Sequence, residues 1–335
     1  MATFTIYQLH FTSPLHISDR HEAADVSMKT VQSDTLMAAL FSCLAKTEME
    51  LPPDGDLGFV VSSMFPFYQK DAGSKPSFFF PMPRTMGYFD ISDPSMAKKI
   101  KKVKWVEQNL FSKILFGNNH VFGLGDLDCS YVHGAYLTEH RMSEDEIDNN
   151  DFVVSHVMQR VKIDDRTGQE DALPYFVDRV MFKDYSGLFF LVSGNTSLAD
   201  KAMAVLAEEG IGTDRNVGFG AFTFTKSEMT IDYPEEGDHL MSLSMLIPNS
   251  EKELKDILES DRVAYDFERR GGWITSFPHN TLRKNAIYAF LPGSVFKNTG
   301  DEILGKITDL RPSCLTSPNH PVWRDGRSIM IPIIT

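Results

Sequence analysis

The segment from Gly210 to Phe222, with the sequence GIGTDRNVGFGAF, constrains the fold of this chain more than any other. Four glycines lie within its first eleven residues. Glycine has no Cβ, so such a loop can bring its backbone N–H groups close to a large ligand. The residues before the loop have helical periodicity, with Ser197 as a candidate cap, and Phe222 and Phe224 alternate with threonines as in a strand. We therefore predict the order helix, glycine loop, strand.

This order argues against the common nucleotide-binding loops. In a P-loop or a dinucleotide fingerprint, the glycine-rich loop follows a strand and opens a helix. The lysine of a Walker sequence is also missing from the segment. Nucleotide hydrolysis is therefore a poor interpretation of this loop.

Length and composition predict two domains in a reducing compartment. The 335 residues are 42% hydrophobic and include 25 phenylalanines, which is enough for more than one core. No apolar run reaches the roughly 18 residues of a membrane span, and the first residues lack signal-peptide features. The three cysteines, Cys43, Cys129 and Cys314, are too far apart to indicate a zinc site or a disulfide framework. We expect a cytoplasmic protein with no membrane partner.

The charge pattern is uneven. A formal net charge of −13 argues against a free-standing, nonspecific nucleic-acid binder, because phosphates favour clustered lysine and arginine. Basic residues nevertheless cluster between Lys98 and Lys104. This fits a subunit that binds nucleic acid on one face and proteins on others. An acidic surface that only aids solubility explains the charge equally well.

The hydrophobic pattern predicts an α+β fold of two ferredoxin-like, or RRM-like, domains. Residues 1–230 have the order β-α-β-β-α-β, interrupted by an irregular insertion at about 86–185. The first strand covers residues 3–11, and a change of phase between Ile6 and Leu9 suggests a bulge. Residues 231–335 repeat the architecture, with a strand near residue 240 and a short helix at 251–258.

Four segments in this order carry a resemblance to a known family. They are SPLHIS from Ser13, QSDTL from Gln32, RVKID from Arg160, and the glycine loop. Together they resemble the RAMP superfamily of CRISPR proteins. More narrowly, the chain resembles the fourth Csm subunit of type III-A effector complexes, in the group that caps the crRNA 5′ end. The C-terminal PVWRDG from Pro321 is similar to the closing segment of that family.

The resemblance implies a non-catalytic subunit of an antiviral, RNA-guided complex. Such a subunit binds the repeat-derived 5′ tag of the crRNA. It also contacts the large polymerase-like subunit and the backbone RAMP subunit. No cofactor is implied. No metal is expected either, because the ten histidines and the aspartates show no metal-ligand spacing.

The predicted RNA-binding residues come from five parts of the chain. They are His16, Ser18, Arg20, Ser33, Asp34, Thr35, Arg160, Lys162, Ile163, Arg166, Gly210, Gly212, Arg215, Asn216, Gly218, Phe219, Gly220 and Lys284. In the glycine loop, N–H groups would hold phosphates, Arg215 would supply charge and Asn216 a hydrogen bond. A tight structural turn is the alternative. Phe219 either stacks on a base or caps the core.

The remaining candidates have structural alternatives too. Arg160 to Gly168 predicts a basic hairpin that projects against RNA and wedges a base aside, or one that is simply solvated. Ser33, Asp34 and Thr35 have a structural interpretation as a helix cap. The N-terminus of the same helix would also offer N–H groups to a phosphate. Lys284 belongs to a basic and aromatic region that faces RNA, a partner or solvent.

Two other functions remain open on the sequence. His16 or His21 as general base would make the chain a metal-independent endoribonuclease that processes CRISPR repeat RNA. A pure protein scaffold, whose glycine loop packs on a neighbour, is the third hypothesis.

Overall fold

The computed structural model describes residues 1–17, 26–47, 49–84, 98–117, 131–144, 146–147, 151–162, 173–314 and 318–335. These residues form an α+β fold, as the sequence predicts. The helices are α1 (Ser33–Ala45), α2 (Gln108–Leu115), α3 (Ser197–Glu209) and α4 (Glu251–Leu258). The strands of the N-terminal part are β1 (Ala2–Phe11), β2 (Phe59–Val61), β3 (Phe65–Tyr68), β4 (Ser77–Pro81), β5 (Trp105–Glu107), β6 (Tyr131–His133), β7 (Tyr136–Thr138), β8 (Val153–Lys162), β9 (Leu173–Phe182), β10 (Ser186–Gly194) and β11 (Phe222–Ile231). The strands of the C-terminal part are β12 (His239–Ser242), β13 (Phe267–Arg270), β14 (Ile287–Phe290), β15 (Val295–Lys297), β16 (Ile303–Leu304), β17 (Ile307–Asp309), β18 (Trp323–Asp325) and β19 (Ser328–Ile333).

The main sheet contains the ferredoxin-like order. Its strands lie in the order β11-β1-β10-β3-β4-β5-β7-β6, and β2 also pairs with β10. The first four of these strands match the 4-1-3-2 arrangement of a β-α-β-β-α-β unit. Strand β1 is antiparallel to both of its neighbours, β10 and β11.

The expected bulge in β1 is absent. Pairing with β11 runs without interruption from Ala2 opposite Ile231 to Phe11 opposite Phe222. The apolar residues change phase because both faces of the strand are buried. Leu9 packs in the core under α1 and α3, and Ile6 packs in the core on the opposite face. A doubly covered strand does not need alternating polarity.

The C-terminal part covers the second face of the main sheet. Its own sheet has the order β15-β12-β19-β16. Met241, Val295 and Ile331 from this sheet share one core with Ile6 and Phe189 of the main sheet. Helix α4 packs on the other side, where Ile257 contacts a separate cluster. In the described part of residues 231–335, α4 is the only α-helix, whereas a β-α-β-β-α-β unit has two, so a second ferredoxin-like domain stays a prediction.

The predicted insertion at 86–185 is not irregular throughout. Strand β5 pairs with β4 and β7, and β7 pairs with β6, so this segment extends the main sheet. Strands β8 and β9 form a separate ten-pair antiparallel hairpin. Strands of three residues carry too little periodicity to be recognised in a sequence.

Both predicted helix caps are wrong. The N-cap of α1 is Gln32, with no side-chain cap, because Ser33 Oγ instead accepts a hydrogen bond from Met245 N at 2.8 Å. The N-cap of α3 is Thr196, and Ser197 is its first helical residue. Helix α4 does have a side-chain cap, since Ser250 Oγ accepts a hydrogen bond from Glu253 N. No helix among the described residues is long and apolar enough to cross a membrane.

Candidate nucleic-acid interface

The glycine loop has the backbone that its composition predicts. Helix α3 ends at Gly210 with φ +75°, and Gly212, Gly218 and Gly220 also have positive φ. A Cβ on Gly220 would lie 1.9 Å from the carbonyl oxygen of Ile211, so no other residue fits there. Glycine is therefore required at this position both for conformation and for the close approach of two backbone segments.

Several N–H groups of the loop are already bonded within the chain. Ile211 N donates to Gly220 O at 3.0 Å, and Thr213 N donates to His16 O at 2.9 Å. Gly220 N donates to Pro14 O at 2.8 Å. These three groups cannot hold phosphates, so the structural alternative is right for both ends of the loop. The exposed part is its centre, from Arg215 to Gly218.

Arg160 joins the β8–β9 hairpin to this loop. Its Nη1 donates to Asp214 Oδ2 at 2.9 Å. Its guanidinium also lies over the Phe219 ring, 4.8 Å from the centroid. Phe219 is only 6% exposed, so the core alternative holds for this ring and a base has no access to stack on it. The sequence predicted these parts separately, and the structure brings them together.

The loop after β1 also contacts the hairpin, and together with the glycine loop they form what we call the junction. Leu15 and Val180 exchange two backbone hydrogen bonds of 2.8 and 2.9 Å, which attach this loop to the hairpin base. His16 is 3% exposed, and its Nδ1 lies 2.9 Å from the carbonyl oxygen of Asp178. As folded, His16 therefore supports the junction and does not face solvent. A buried imidazole with one nitrogen so occupied gives no support to the nuclease hypothesis.

Most of the other residues predicted in the hairpin and in the loop after β1 lie outside the described part of the chain. Lys162 is the exception, as the last residue of strand β8. Ser18, Arg20, His21, Ile163 and Arg166 lie outside the residues that the structure describes. Their predicted contacts with RNA stay predictions.

Asp34 is the centre of a buried charged cluster. Its side chain is 1% exposed and accepts hydrogen bonds from Arg270 Nε at 2.7 Å and from the Arg324 guanidinium. Burial opposes the charged form, but Arg324 and Arg270 outweigh it and hold the pKa of Asp34 below its ordinary range. Arg270 Nη2 also donates to Thr35 Oγ1 at 2.8 Å.

The start of α1 is therefore not an open phosphate site. Ser33 N donates to Ser63 Oγ, and Thr35 N donates to Gln32 O, each at 3.0 Å. Asp34 and Thr35 accept hydrogen bonds from Arg270, and Ser33 is bonded to Ser63 and Met245. We correct the predicted direct phosphate contact of these three residues accordingly.

Lys284 adds a third cation to this cluster. Burial, followed by the nearby Arg324, lowers its pKa to about 8. Three cations, Arg270, Arg324 and Lys284, thus face two carboxylates, those of Asp34 and Glu268. The cluster is locally positive in an acidic protein. Sequence reasoning missed Arg324, although PVWRDG carried the resemblance, because a buried arginine has no distinguishing local pattern.

Metal binding has no visible basis in the described part of the chain, where no group of three His, Cys, Asp or Glu side chains is arranged to hold an ion.

Comparison with known protein families gives one domain match. Residues 235–333 match the family model described as the CRISPR Csm4 C-terminal domain. This segment includes every C-terminal element from β12 to β19.

Two curated relatives match part of the chain in sequence. The CRISPR system Cms protein Csm4 of Mycobacterium tuberculosis is 31% identical over 169 residues, which cover 49% of this chain and 53% of that protein. The protein of the same name from Thermococcus onnurineus is 32% identical over 138 residues, covering 40% of this chain and 42% of that protein. The match thus spans about half the length of the curated relatives.

Solved structures share the fold over the whole chain. A Csm3–Csm4 subcomplex of a type III-A CRISPR-Cas interference complex matches with a TM-score of 0.60 at 17% identity, covering 100% of both chains. A Csm1–Csm4 cassette in complex with pppApA matches with a TM-score of 0.56 at 16% identity, covering 99% of this chain and 98% of that chain. The resemblance to the fourth Csm subunit is therefore confirmed.

Proposed function

We propose that this Csm4-like chain is a non-catalytic subunit of a type III-A CRISPR effector complex that binds the 5′ tag of the crRNA. One observation carries the RNA-binding part of the proposal. Arg160 fixes the hairpin to the glycine loop through Asp214 and Phe219, beside the exposed Arg215. A hairpin attached in this way beside Arg215, whose guanidinium also pairs with Glu209 at 3.6 Å, is suited to holding a single strand.

The two parts of this junction have complementary chemistry. Arg215 and Asn216 are exposed at the centre of the glycine loop, where they can contact phosphate and ribose oxygens. The hairpin exposes apolar side chains towards its tip, with Val157 at 57%, Val161 at 51% and Phe176 at 52%. Water-exposed apolar groups on a projecting hairpin are suited to separating or covering bases.

The partners proposed for this chain follow from its relatives. The matching structures contain Csm4 with Csm3 and Csm4 with Csm1. We infer that this chain likewise bridges a large polymerase-like subunit to a backbone RAMP subunit. The net charge of −13 fits this arrangement, because an acidic surface is better suited to protein partners than to RNA.

The test is retention of crRNA in the assembled complex. The tagged chain is co-purified from its host, and the bound RNA is extracted and its 5′ ends are mapped. We expect small RNAs with a uniform repeat-derived 5′ tag, together with a large partner protein. Recovery of the chain alone and free of RNA would contradict the proposal.

A double variant, Arg160→Ala with Arg215→Ala, tests the site itself. We expect weaker crRNA retention, and a salt dependence whose slope falls by about 0.7 for each phosphate that the variant no longer binds. Arg311→Ala is the matched control, because Arg311 forms a comparable surface ion pair with Asp309 far along the chain. Equal crRNA retention by the double variant and this control would remove the glycine loop and hairpin from the RNA site.

A further inference from the structure

The β13–β14 ribbon has two faces of different character. Because opposite residues of an antiparallel pair share a face, Arg269 and Tyr288 lie together, and so do Phe267 and Phe290. Glu268, between them, lies on the other face and is 5% exposed. The ribbon thus turns Glu268 and Arg270 inward, while Phe267, Arg269 and Tyr288 are exposed on the other face.

The outward aromatic rings are unusually exposed. Tyr288 is 62% exposed, Phe267 is 52% exposed, and Tyr265 just before the ribbon is 45% exposed. The Phe267 ring centroid lies 5.8 Å from that of Tyr288 and 6.4 Å from that of Tyr265. We call Tyr265, Phe267, Arg269 and Tyr288 the ribbon platform. Tyr265 also packs edge-to-face on the buried ring of Phe290, with the two centroids 5.1 Å apart.

A second exposed ring with an arginine follows in the same part of the chain. Trp273 is 49% exposed, and the Arg283 guanidinium lies 4.7 Å from the centroid of its ring. Trp273 and Arg283 also form an isolated β-bridge, which holds the two segments together. Exposed aromatic and arginine side chains therefore recur in this part of the chain.

The charge beneath the platform is positive. The inner face of the ribbon contributes Arg270 to the cluster in which Arg270, Arg324 and Lys284 outnumber Asp34 and Glu268. Burial, followed by the neighbouring Arg324, lowers the pKa of Lys284 to about 8. The chain as a whole carries −13, so this local excess of cations is opposite in sign to the overall charge. It is complementary to a polyanion.

We propose that the ribbon platform binds single-stranded RNA by stacking bases on Phe267 and Tyr288, with Arg269 at the phosphates. Rings spaced along a β-ribbon offer successive flat surfaces to unpaired bases, and every base has a face that stacks. This inference shares the RNA-binding role proposed above but does not depend on the hairpin or the glycine loop. It assigns a second RNA-contacting surface to the C-terminal part of the chain.

The chemistry favours RNA over a protein partner at this surface. The platform has aromatic and arginine side chains but no aliphatic one, and it lies over a positive cluster. Aromatic and arginine side chains are also enriched in protein interfaces, so the positive cluster beneath the platform is the feature that favours RNA. A protein partner is therefore the competing outcome that the experiment has to distinguish.

The test measures binding of the purified full-length chain to a fluorescein-labelled oligouridine of about ten nucleotides. A ribose-phosphate oligomer of the same length that lacks bases is the comparison probe. We expect Phe267→Ala and Tyr288→Ala each to weaken oligouridine binding about fivefold or more, since each removes one stacking surface. Phe267→Tyr and Tyr288→Phe retain a ring and should bind like the wild type.

Phe116→Ala is the matched control. Phe116 is 49% exposed but lies beside the acidic side chains Asp232 and Glu235, so its removal should leave RNA binding unchanged. Thermal unfolding of every variant shows whether it is folded. Because the platform rings are half exposed, the alanine variants should unfold close to the wild type.

Several results would overturn the proposal. They are oligouridine binding that is unchanged in both alanine variants, equal wild-type affinity for the abasic probe, and no RNA binding by the wild-type chain. Loss of a co-purifying protein with retained oligouridine binding would identify the platform as a protein interface. Failure of the platform leaves crRNA retention by Arg160 and Arg215 intact, so the two proposals are separable.

Discussion

Arg160 Nη1 and Asp214 Oδ2, 2.9 Å apart, connect two segments that lie 54 residues apart in the chain. One belongs to a projecting hairpin, and the other to the glycine loop after α3. Asp214 itself has φ +60°, a left-handed conformation that aspartate tolerates better than most residues. The ion pair therefore depends on the unusual backbone of the loop.

The first prediction concerns this connection. Arg160→Ala should lower the free energy of unfolding by about 1 kcal/mol, because it removes a partly exposed ion pair and a cation–π contact. Hydrogen exchange should accelerate in β8 and β9. Arg160→Lys should recover the ion pair but less of the stacking, since a lysine ammonium is a point charge. Unchanged exchange in the hairpin of Arg160→Ala would show that other contacts fix it.

The second prediction compares two glycines of the loop. Gly220→Ala should destabilise the fold severely, because its Cβ would overlap Ile211 O in addition to straining a φ of +73°. Gly218 has a similar φ of +88° but nothing within 4 Å of a Cβ, so Gly218→Ala should cost only about 1–2 kcal/mol. Denaturant unfolding of both variants measures the difference. Equal costs would mean that the loop relaxes around the added methyl group.

The third prediction concerns Asp34. Asp34→Asn removes the anion between Arg270 and Arg324 and should cost about 3–5 kcal/mol, because the buried Arg324 guanidinium loses this counterion and Arg270 is left with Glu268. The folded state holds the pKa of Asp34 below its unfolded value. Its stabilisation is therefore complete above the unfolded pKa of about 3.9 and is lost as the pH falls through the folded pKa.

The measurement for Asp34 is acid unfolding. In the wild type, stability should fall as the pH drops below about 4, and Asp34→Asn should lack this part of the decrease. Asp309→Asn is a suitable control, because Asp309 pairs with Arg311 near the surface and its pKa is also lowered. A control with as large an effect as Asp34→Asn would contradict a special role for the buried cluster.

The fourth prediction concerns Lys284, whose pKa is lowered to about 8 in the folded state. Between this value and the unfolded pKa of about 10.4, the unfolded chain binds more protons, so stability should rise with pH. Lys284→Gln removes a buried charge beside two arginines. It should be more stable than the wild type at neutral pH, and the advantage should disappear near pH 10.5. A constant difference across this range would show that Lys284 acts through packing.

Sequence periodicity identified three elements with a clear apolar pattern. The strand at residues 3–11, the helix ending at Gly210 and the short helix at 251–258 are all confirmed. Strands β5 to β7 were missed, because three residues give no measurable period. The division at residue 230 stays an interpretation, although it falls at the end of β11.

The candidate site was predictable only in part, since a sequence shows side chains but not their partners. Glycines at 210, 212 and 220 were identified, but the N–H groups around them proved to be bonded inside the chain. Asp34 was interpreted as a helix cap because its partners, Arg270 and Arg324, lie 236 and 290 residues further along. Interactions at such separation leave no local pattern.

The fifth prediction addresses catalysis. Incubation of the purified wild-type chain with CRISPR repeat RNA and a chelator should give no cleavage, because His16 is buried and bonded through Nδ1 to the Asp178 carbonyl. The assay looks for products with a 2′,3′-cyclic end. Such products, and their disappearance in His16→Ala but not in His10→Ala, would establish the nuclease instead.

Finally, the two sheets cannot be treated as separable modules. Met241, Val295 and Ile331 of the C-terminal sheet lie in the same core as Ile6 and Phe189 of the main sheet. A fragment that stops near residue 230 would expose one apolar face of the main sheet to water. A fragment that starts there would expose the apolar face of the C-terminal sheet that normally covers it. Neither fragment should fold into a stable, soluble protein. Point substitutions are therefore a better way than truncation to map the functions of this molecule.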